Sequence, residues 1–266
     1  MYGGKPPRNL VPRAFAAGRT EARRTFTVTG FWQPDPLQSL TGQATNVELK
    51  VVLPRHGGRS LGINSDRGPS RRIYFLDTPD LELYRNDVII RFRDRADQRD
   101  DAVVKLRPVV PGRMPGWLRN AEQFHVEIDA LPSHAVCSGA LKKRLGRRDV
   151  SRAVAAGRPL ITLLSTQQRR MLTKYAPPSV RPKDLTVFGP IHVHRRNFKL
   201  RGLKQGLTAE RWRYPDGTYL LELSTRCPVD EAGAVAARVS RALRSHGVAP
   251  ADLQRTKTEM ALQAAA

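Results

Sequence analysis

Acidic side chains, cysteines and long apolar runs are all scarce in this sequence. Its 266 residues carry 24 Asp and Glu against 46 Lys and Arg, a formal charge of +22. So large an excess repels itself and attracts polyanions. Nucleic acid, nucleotides, polyphosphate and anionic lipid are therefore the candidate partners. Two cysteines, Cys137 and Cys227, are too few for a disulfide framework or a cysteine metal cluster, and they read as small core residues of a reduced protein. No apolar run approaches the ~20 residues that span a bilayer. The N-terminus has no apolar signal core. A cytoplasmic protein is expected, with an organelle transit peptide as the other reading, because that terminus is Arg-rich and acid-poor. What is present is 40% apolar residues, enough for a folded core.

The charge is uneven. Residues 1–42 hold six basic and two acidic side chains among many Gly and Pro, and read as a disordered extension with a short ordered piece at Phe26 to Trp32. Residues 136–184 hold twelve basic and two acidic side chains, and read as a basic helical insert. The rest of 43–266 is nearer balance, and its charges are patterned.

Strands are expected at Thr45 to Leu53, at "RRIYFLDT", at "VIIRFRDR" and "DAVVKLRPV" as a hairpin across "ADQRD", and at "EQFHVEIDAL". The period then changes. "SGALKKRLGRRDVSRAVAAG" and "LITLLSTQQRRMLTKYA" read as helices, the second with Leu160, Leu163, Leu164 and Leu172 near 3.6 spacing. Strands return at "TVFGPIHVHRRNFKL", "LTAERWRY" and "TYLLELST", the last two joined by the turn Tyr214-Pro215-Asp216-Gly217. A closing amphipathic helix carries Val235, Val239 and Leu243 on one stripe, with Asp230 and Glu231 at its N-terminal end where the dipole favours acids.

The parity of the strands carries the functional signal. Glu48 and Lys50 alternate with Val47 and Leu49; Arg91 and Arg93 with Ile90 and Phe92; Lys105 and Arg107 with Val104 and Leu106. His125, Glu127 and Asp129 alternate with Phe124, Val126 and Ile128, and Glu222 and Ser224 with Leu221 and Leu223. One charged face is ordinarily just solvated. Many such faces, with acids and bases mixed, suit a sheet closed so that the charges point inward. Buried charges must be paired or bind something. Bases would hold phosphate oxygens, and carboxylates a hard cation such as Mg²⁺ or Mn²⁺.

The blocks "VELK", "YFLDTPDLELYRNDVIIRFRDR", "DAVVKLRP", "FHVEID", "AERWRYPDGTYLLELS" and "TKTEMAL" occur in the order of a CYTH domain. Over about residues 45–262 the chain resembles that family, the triphosphate tunnel metalloenzymes. The resemblance implies an α+β fold, an eight-stranded antiparallel β tunnel with helices packed outside. It implies a metal-dependent hydrolase of triphosphate phosphoanhydride bonds, whether inorganic, nucleoside or thiamine triphosphate. It also implies site residues. Lys50, Arg91, Arg93, Lys105, Arg107, Arg195 and Lys257 would bind the triphosphate; Glu48 and Glu222 would hold Mg²⁺ or Mn²⁺; Lys50, Glu127 and Glu210 would serve catalysis, with Asp129 beside Glu127. Two family carboxylates are replaced, by Asn46 and by Ser224.

That departure keeps two alternatives open: a non-catalytic binder of polyphosphate, nucleotide or nucleic acid, and a class IV-type adenylyl cyclase. Basic segments 1–42 and 136–184, with "KKRLGRR" at 142–148, make nucleic acid a partner to weigh against a solvated helix face. His192 and His194 alternate on one strand without a third metal ligand in view. His125 reads as a tuning residue in the tunnel, Trp212 and Tyr214 as packing.

Overall fold

The computed structural model describes residues 30–33, 40, 42–54, 56–63 and 69–264. The expectation of a disordered extension over 1–42 falls largely outside them. Nine strands form a closed barrel: β1 (Asn46–Leu53), β2 (Ser70–Asp77), β3 (Val88–Arg95), β4 (Asp101–Leu106), β5 (Phe124–Leu131), β6 (His134–Arg144), β7 (Thr186–Phe198), β8 (Leu207–Arg213) and β9 (Tyr219–Pro228). Around the ring they run β1-β5-β6-β4-β3-β2-β7-β8-β9. The helices outside are α1 (Asp149–Ala155), α2 (Thr166–Tyr175), α3 (Ala232–Ser245) and α4 (Lys257–Gln263), with shorter turns between strands.

The α+β barrel with outer helices agrees with expectation; the count of eight and the purely antiparallel order are corrected. A ninth strand is present, and β1 pairs with β5 in parallel, Glu48 opposite Asp129. The extra strand is β6, which takes the first seven residues, Ser138 to Arg144, of the first segment read as a helix. Its residues Ser138 to Arg144 pair with β5 on one side and β4 on the other. The Leu, Ala, Lys and Arg of "GALKKR" favour helix weakly, and two partner strands override that preference. Helix begins only at Asp149. The second segment is also shorter than expected. Leu160–Leu163 is a 3₁₀ turn, and α2 starts after Ser165, whose hydroxyl accepts from Gln168 N while the Gln168 side chain accepts from Ser165 N.

Outward side chains of the strands meet the helices. Tyr74, Ile90, Phe92, Val104 and Leu141 pack with Val150, Leu160, Leu164 and Met171 of the α1–α2 region. Val47, Leu49, Val51 and Leu223 pack with Val235, Val239 and Leu243 of α3, the stripe legible in the sequence. Each such fully buried apolar side chain contributes about 1.5–3 kcal/mol. Cys137 and Cys227 lie buried in these two layers as free thiols. Of the piece expected at Phe26 to Trp32, the described part is docked: Trp32 Nε1 donates to Ala130 O at 3.0 Å and Phe31 N to Ser240 Oγ at 2.8 Å.

One end of the barrel interior is apolar. Val52, Ile73, Phe75, Ile89, Leu131, Trp212 and Leu220 point inward there and pack with Ala261 and Leu262 of α4. Gln254 pins the approach to α4, accepting from Val52 N and donating to Val52 O. The opposite rim, where β2, β8 and β4 begin and β3, β6 and β9 end, is polar.

Candidate functional site

The barrel encloses a cavity of about 720 Å³. Every second residue of each strand reaches it, as strand parity requires. Eleven lysines and arginines line it against five carboxylates. All the residues named for substrate, catalysis or metal lie on this wall: Glu48, Lys50, Arg91, Arg93, Lys105, Arg107, Glu127, Arg195, Glu210, Glu222 and Lys257. So do Asp129, His125 and Ser224. Asn46 does not: it is exposed at the rim and donates to Thr45 Oγ1 at 3.1 Å. His192 is exposed and His194 shares its outward face, opposite to the inward Val193 and Arg195. Trp212 and Tyr214 are buried, as packing residues should be.

The charges divide by wall. Lys142, Lys105, Arg91, Arg93, Arg95, Arg71 and Arg195 come from β6, β4, β3, β2 and β7, which are consecutive around the ring. Glu210, Glu222, Glu48, Glu127 and Asp129 come from β8, β9, β1 and β5, also consecutive. A basic wall thus faces an acidic one.

Asp129 is the hub of the acidic side. Its Oδ1 lies 2.5 Å from Lys50 Nζ; its Oδ2 accepts from Lys105 at 2.7 Å, Arg107 at 2.6 Å and Ser138 Oγ at 2.8 Å. Burial would raise this carboxyl, but the three cations hold it well below the usual range. Burial alone would lower Lys50, yet Asp129, Glu48 and Glu222 raise it above the ordinary ammonium range. Lys105 goes the other way: burial, with Arg107 and Lys50 nearby, outweighs Asp129 and brings it down to about 8. Lys257 enters from the first turn of α4 and bridges Glu210 at 2.6 Å and Glu222 at 2.7 Å.

Arg91 stands apart. Among the described residues it makes no hydrogen bond or ion pair, and its buried Nε has no acceptor. Burial and the neighbouring Arg93 push its guanidinium down to about 10. Arg93 is instead held by Asp101, which also pairs with Arg95.

Glu48, Glu127 and Asp129 can each place one oxygen within 4.8 Å of the others, a spacing that suits a metal ion. An all-carboxylate set is the donor chemistry of a hard divalent cation. The fit is real at two of the three. Asp129 is saturated by its cations. Glu48 and Glu127 share Arg226, at 3.7 and 3.0 Å, whose side chain is 65% exposed, and Glu48 also pairs with Lys50 at 2.9 Å. Glu222 stands outside this cluster, with Oε1 on Lys257.

Arg71, Arg95, Lys142 and Arg226 were not singled out in the sequence. The signal existed for two. Arg95 continues the parity of Arg91 and Arg93, and Arg71 leads Ile73 and Phe75 on β2. Lys142 was hidden by the helical reading, and Arg226 sits two residues beyond Ser224 where the alternation was not followed.

No family model and no curated protein matches the sequence. Solved structures do match in fold. A Bacillus halodurans protein provisionally assigned as an adenylate cyclase aligns over 82% of this chain and 98% of its own, with 13% identity and a TM-score of 0.54. A Hippeastrum protein, also provisionally an adenylyl cyclase but described as having dominant triphosphatase activity, aligns over 81% and 94%, with 13% identity and a TM-score of 0.57. The chain shares the fold of these two structures. Among the described residues no helix is long and apolar enough to cross a membrane.

Proposed function

We propose that this chain is a hydrolase of a triphosphate phosphoanhydride bond, using Mg²⁺ or Mn²⁺. The carrying observation is Arg91: a desolvated guanidinium facing an enclosed, positively charged cavity, with no carboxylate of its own. A charge in that position calls for an anion from outside. Arg91, Arg93, Arg195 and Lys105 bind and orient the phosphate oxygens on the basic wall. Lys50 and Arg107, held by Asp129, complete the cradle, and Lys257 meets the chain from α4. Glu48 and Glu127 would hold the divalent ion on the facing wall; when bound it supplies charge neutralisation at the cleaved bond and acidifies a water. Glu210 stays ionised, since Lys257 outweighs the upward push of its burial. It therefore accepts hydrogen bonds and orients its neighbours; it does not donate a proton. The fold shared with the Hippeastrum protein supports this reading.

The test is phosphate release from tripolyphosphate, ATP and thiamine triphosphate with Mg²⁺ or Mn²⁺. Wild type should exceed an Arg91→Ala/Arg93→Ala variant by at least ~100-fold on one of them, as loss of two charge-assisted contacts implies. Equal rates on all three overturn the enzyme.

A second reading, an anion binder without catalysis, is favoured by one feature. Each of the five cavity carboxylates has a cation within 4 Å, so charge is already balanced on the acidic wall. Calorimetry separates the two: full anion affinity without metal, together with no turnover, selects the binder.

A further inference from the structure

Arg226 bridges the same two glutamates that a metal ion would bridge. It leaves β9 opposite Glu48 of β1, and Glu48 lies opposite Asp129 of β5. From there Nη2 stands 3.0 Å from Glu127 Oε2 and Nε 3.7 Å from Glu48 Oε1. The other oxygens of the cluster are occupied too. Glu48 Oε2 and Asp129 Oδ1 face Lys50, at 2.9 and 2.5 Å. Lys105 stands 3.8 Å from Glu127 Oε1 and 2.7 Å from Asp129 Oδ2, which Arg107 also reaches at 2.6 Å. Three carboxylates thus meet four cations, a local excess of one positive charge. A divalent ion entering that set meets repulsion before it meets a free oxygen.

The four cations differ in how readily they give way. The side chains of Lys50, Lys105 and Arg107 are 9%, 14% and 20% exposed, whereas that of Arg226 is 65% exposed. A desolvated cation loses its compensation when its acid is taken and has no water to replace it. An exposed guanidinium regains water, and its ion pairs are weak for that reason. Arg226 is therefore the cation that a metal ion would displace at least cost. Glu48 and Glu127 are the two acids it would release.

Resting on the metal-dependent reading of this site, we propose that Arg226 is a built-in competitor of the divalent ion. Its guanidinium holds Glu48 and Glu127 in the metal's place and sets how much metal the site needs. It acts on the metal through those two carboxylates and is a positioning residue.

The test is isothermal titration calorimetry of Mn²⁺ into the full chain, without any anion of phosphate, at fixed ionic strength and neutral pH. Wild type should bind Mn²⁺ weakly. Arg226→Ala, which removes the charge and adds no ligand, should bind it at least ~10-fold tighter. Arg226→Lys, which keeps the charge, should stay within about threefold of wild type. Adding Glu48→Gln to Arg226→Ala should abolish the gain. Phosphate release from tripolyphosphate should also reach half its maximum at a lower free Mn²⁺ concentration in Arg226→Ala, whatever its maximal rate. Wild-type binding of Mn²⁺ tighter than roughly 0.1 mM overturns the proposal without any variant. So does equal affinity in wild type and Arg226→Ala, a gain equally large in Arg226→Lys, or a gain that survives Glu48→Gln. Metal-dependent phosphate release alongside any of these leaves the hydrolase standing. The expected gain in Mn²⁺ affinity with no phosphate release from wild type defeats the hydrolase and leaves the competitor.

Discussion

Lys50 Nζ lies 2.5 Å from Asp129 Oδ1, a contact made across the parallel β1–β5 seam. The seam places Glu48 directly beside Asp129, two acids whose repulsion Lys50 relieves by binding both, at 2.9 and 2.5 Å. Lys105 and Arg107 add to Asp129 from β4 and the residue after it. One carboxylate therefore holds three cations in position on the cavity wall.

Replacing that hub should cost stability through the charges it leaves behind. Asp129→Asn strips the compensation from Lys50, Lys105 and Arg107, and breaking a buried pair in this way costs about 3–5 kcal/mol. An anion in the cavity would restore part of the balance. Thermal unfolding of the variant should thus recover more on adding tripolyphosphate than wild type does. Equal shifts in both proteins would show that Asp129 does not organise the cradle.

Lys105 should give anion binding a pH dependence. Burial holds its ammonium down to about 8, against 10.5 in a free side chain. As pH rises through about 8 the cradle loses a charge, so tripolyphosphate affinity should fall. The folded value is depressed for a base, so the unfolded chain binds more protons between about 8 and 10.5, and this group's contribution to stability rises with pH across that window. Lys105→Gln should remove the inflection in affinity near pH 8. An inflection unchanged in that variant assigns it to another group.

Much of the barrel was legible because inward and outward positions alternate on every strand. Arg91 and Arg93 against Ile90 and Phe92 give β3 its two faces in the sequence itself, and both arginines line the cavity. β6 was not legible. "GALKKR" has helix-forming composition, and only pairing with β4 and β5 makes it a strand, the β4 partners lying 33 to 43 residues away in sequence. The parallel seam was hidden for the same reason: nothing in the local sequence of β1 says that its neighbour is β5. Asp129 was read only as a companion of Glu127, because its three cations come together from β1 and the β4 end in space alone.

α2 is fastened to the barrel by a polar side chain. Gln168 is fully buried, and its Nε2 donates to Ala102 O of β4 at 3.0 Å and to Leu141 O of β6 at 2.9 Å. Gln168→Leu fills a similar volume but leaves these contacts, and the capping bond to Ser165, unmade. The cost should be about 1–3 kcal/mol for unsatisfied buried groups. Urea denaturation measures it. A neutral substitution would mean that α2 is held by Met171 and Leu172 packing alone.

Glu48 should give an acid-sensitive share of stability. Burial opposes its ionisation, but Lys50, Lys257 and Arg226 hold the carboxyl down to about 2, against 4.5 in a free side chain. A depressed acid stabilises fully above its unfolded value and loses that contribution as pH falls toward the folded one. The window is therefore pH 4.5 to about 2. Two and a half units correspond to at most about 3 kcal/mol, and screening at the partly open rim reduces this toward ~2 kcal/mol. Glu48→Gln should be less stable than wild type at pH 6, with the difference closing as pH approaches 2. Asp129 shares Lys50 with Glu48, so the difference between the two unfolding curves reports Glu48 together with the response of Asp129 to its loss. A gap that stays constant with pH would show that Glu48 acts there through packing or hydrogen bonding, with its charge contributing nothing to the fold.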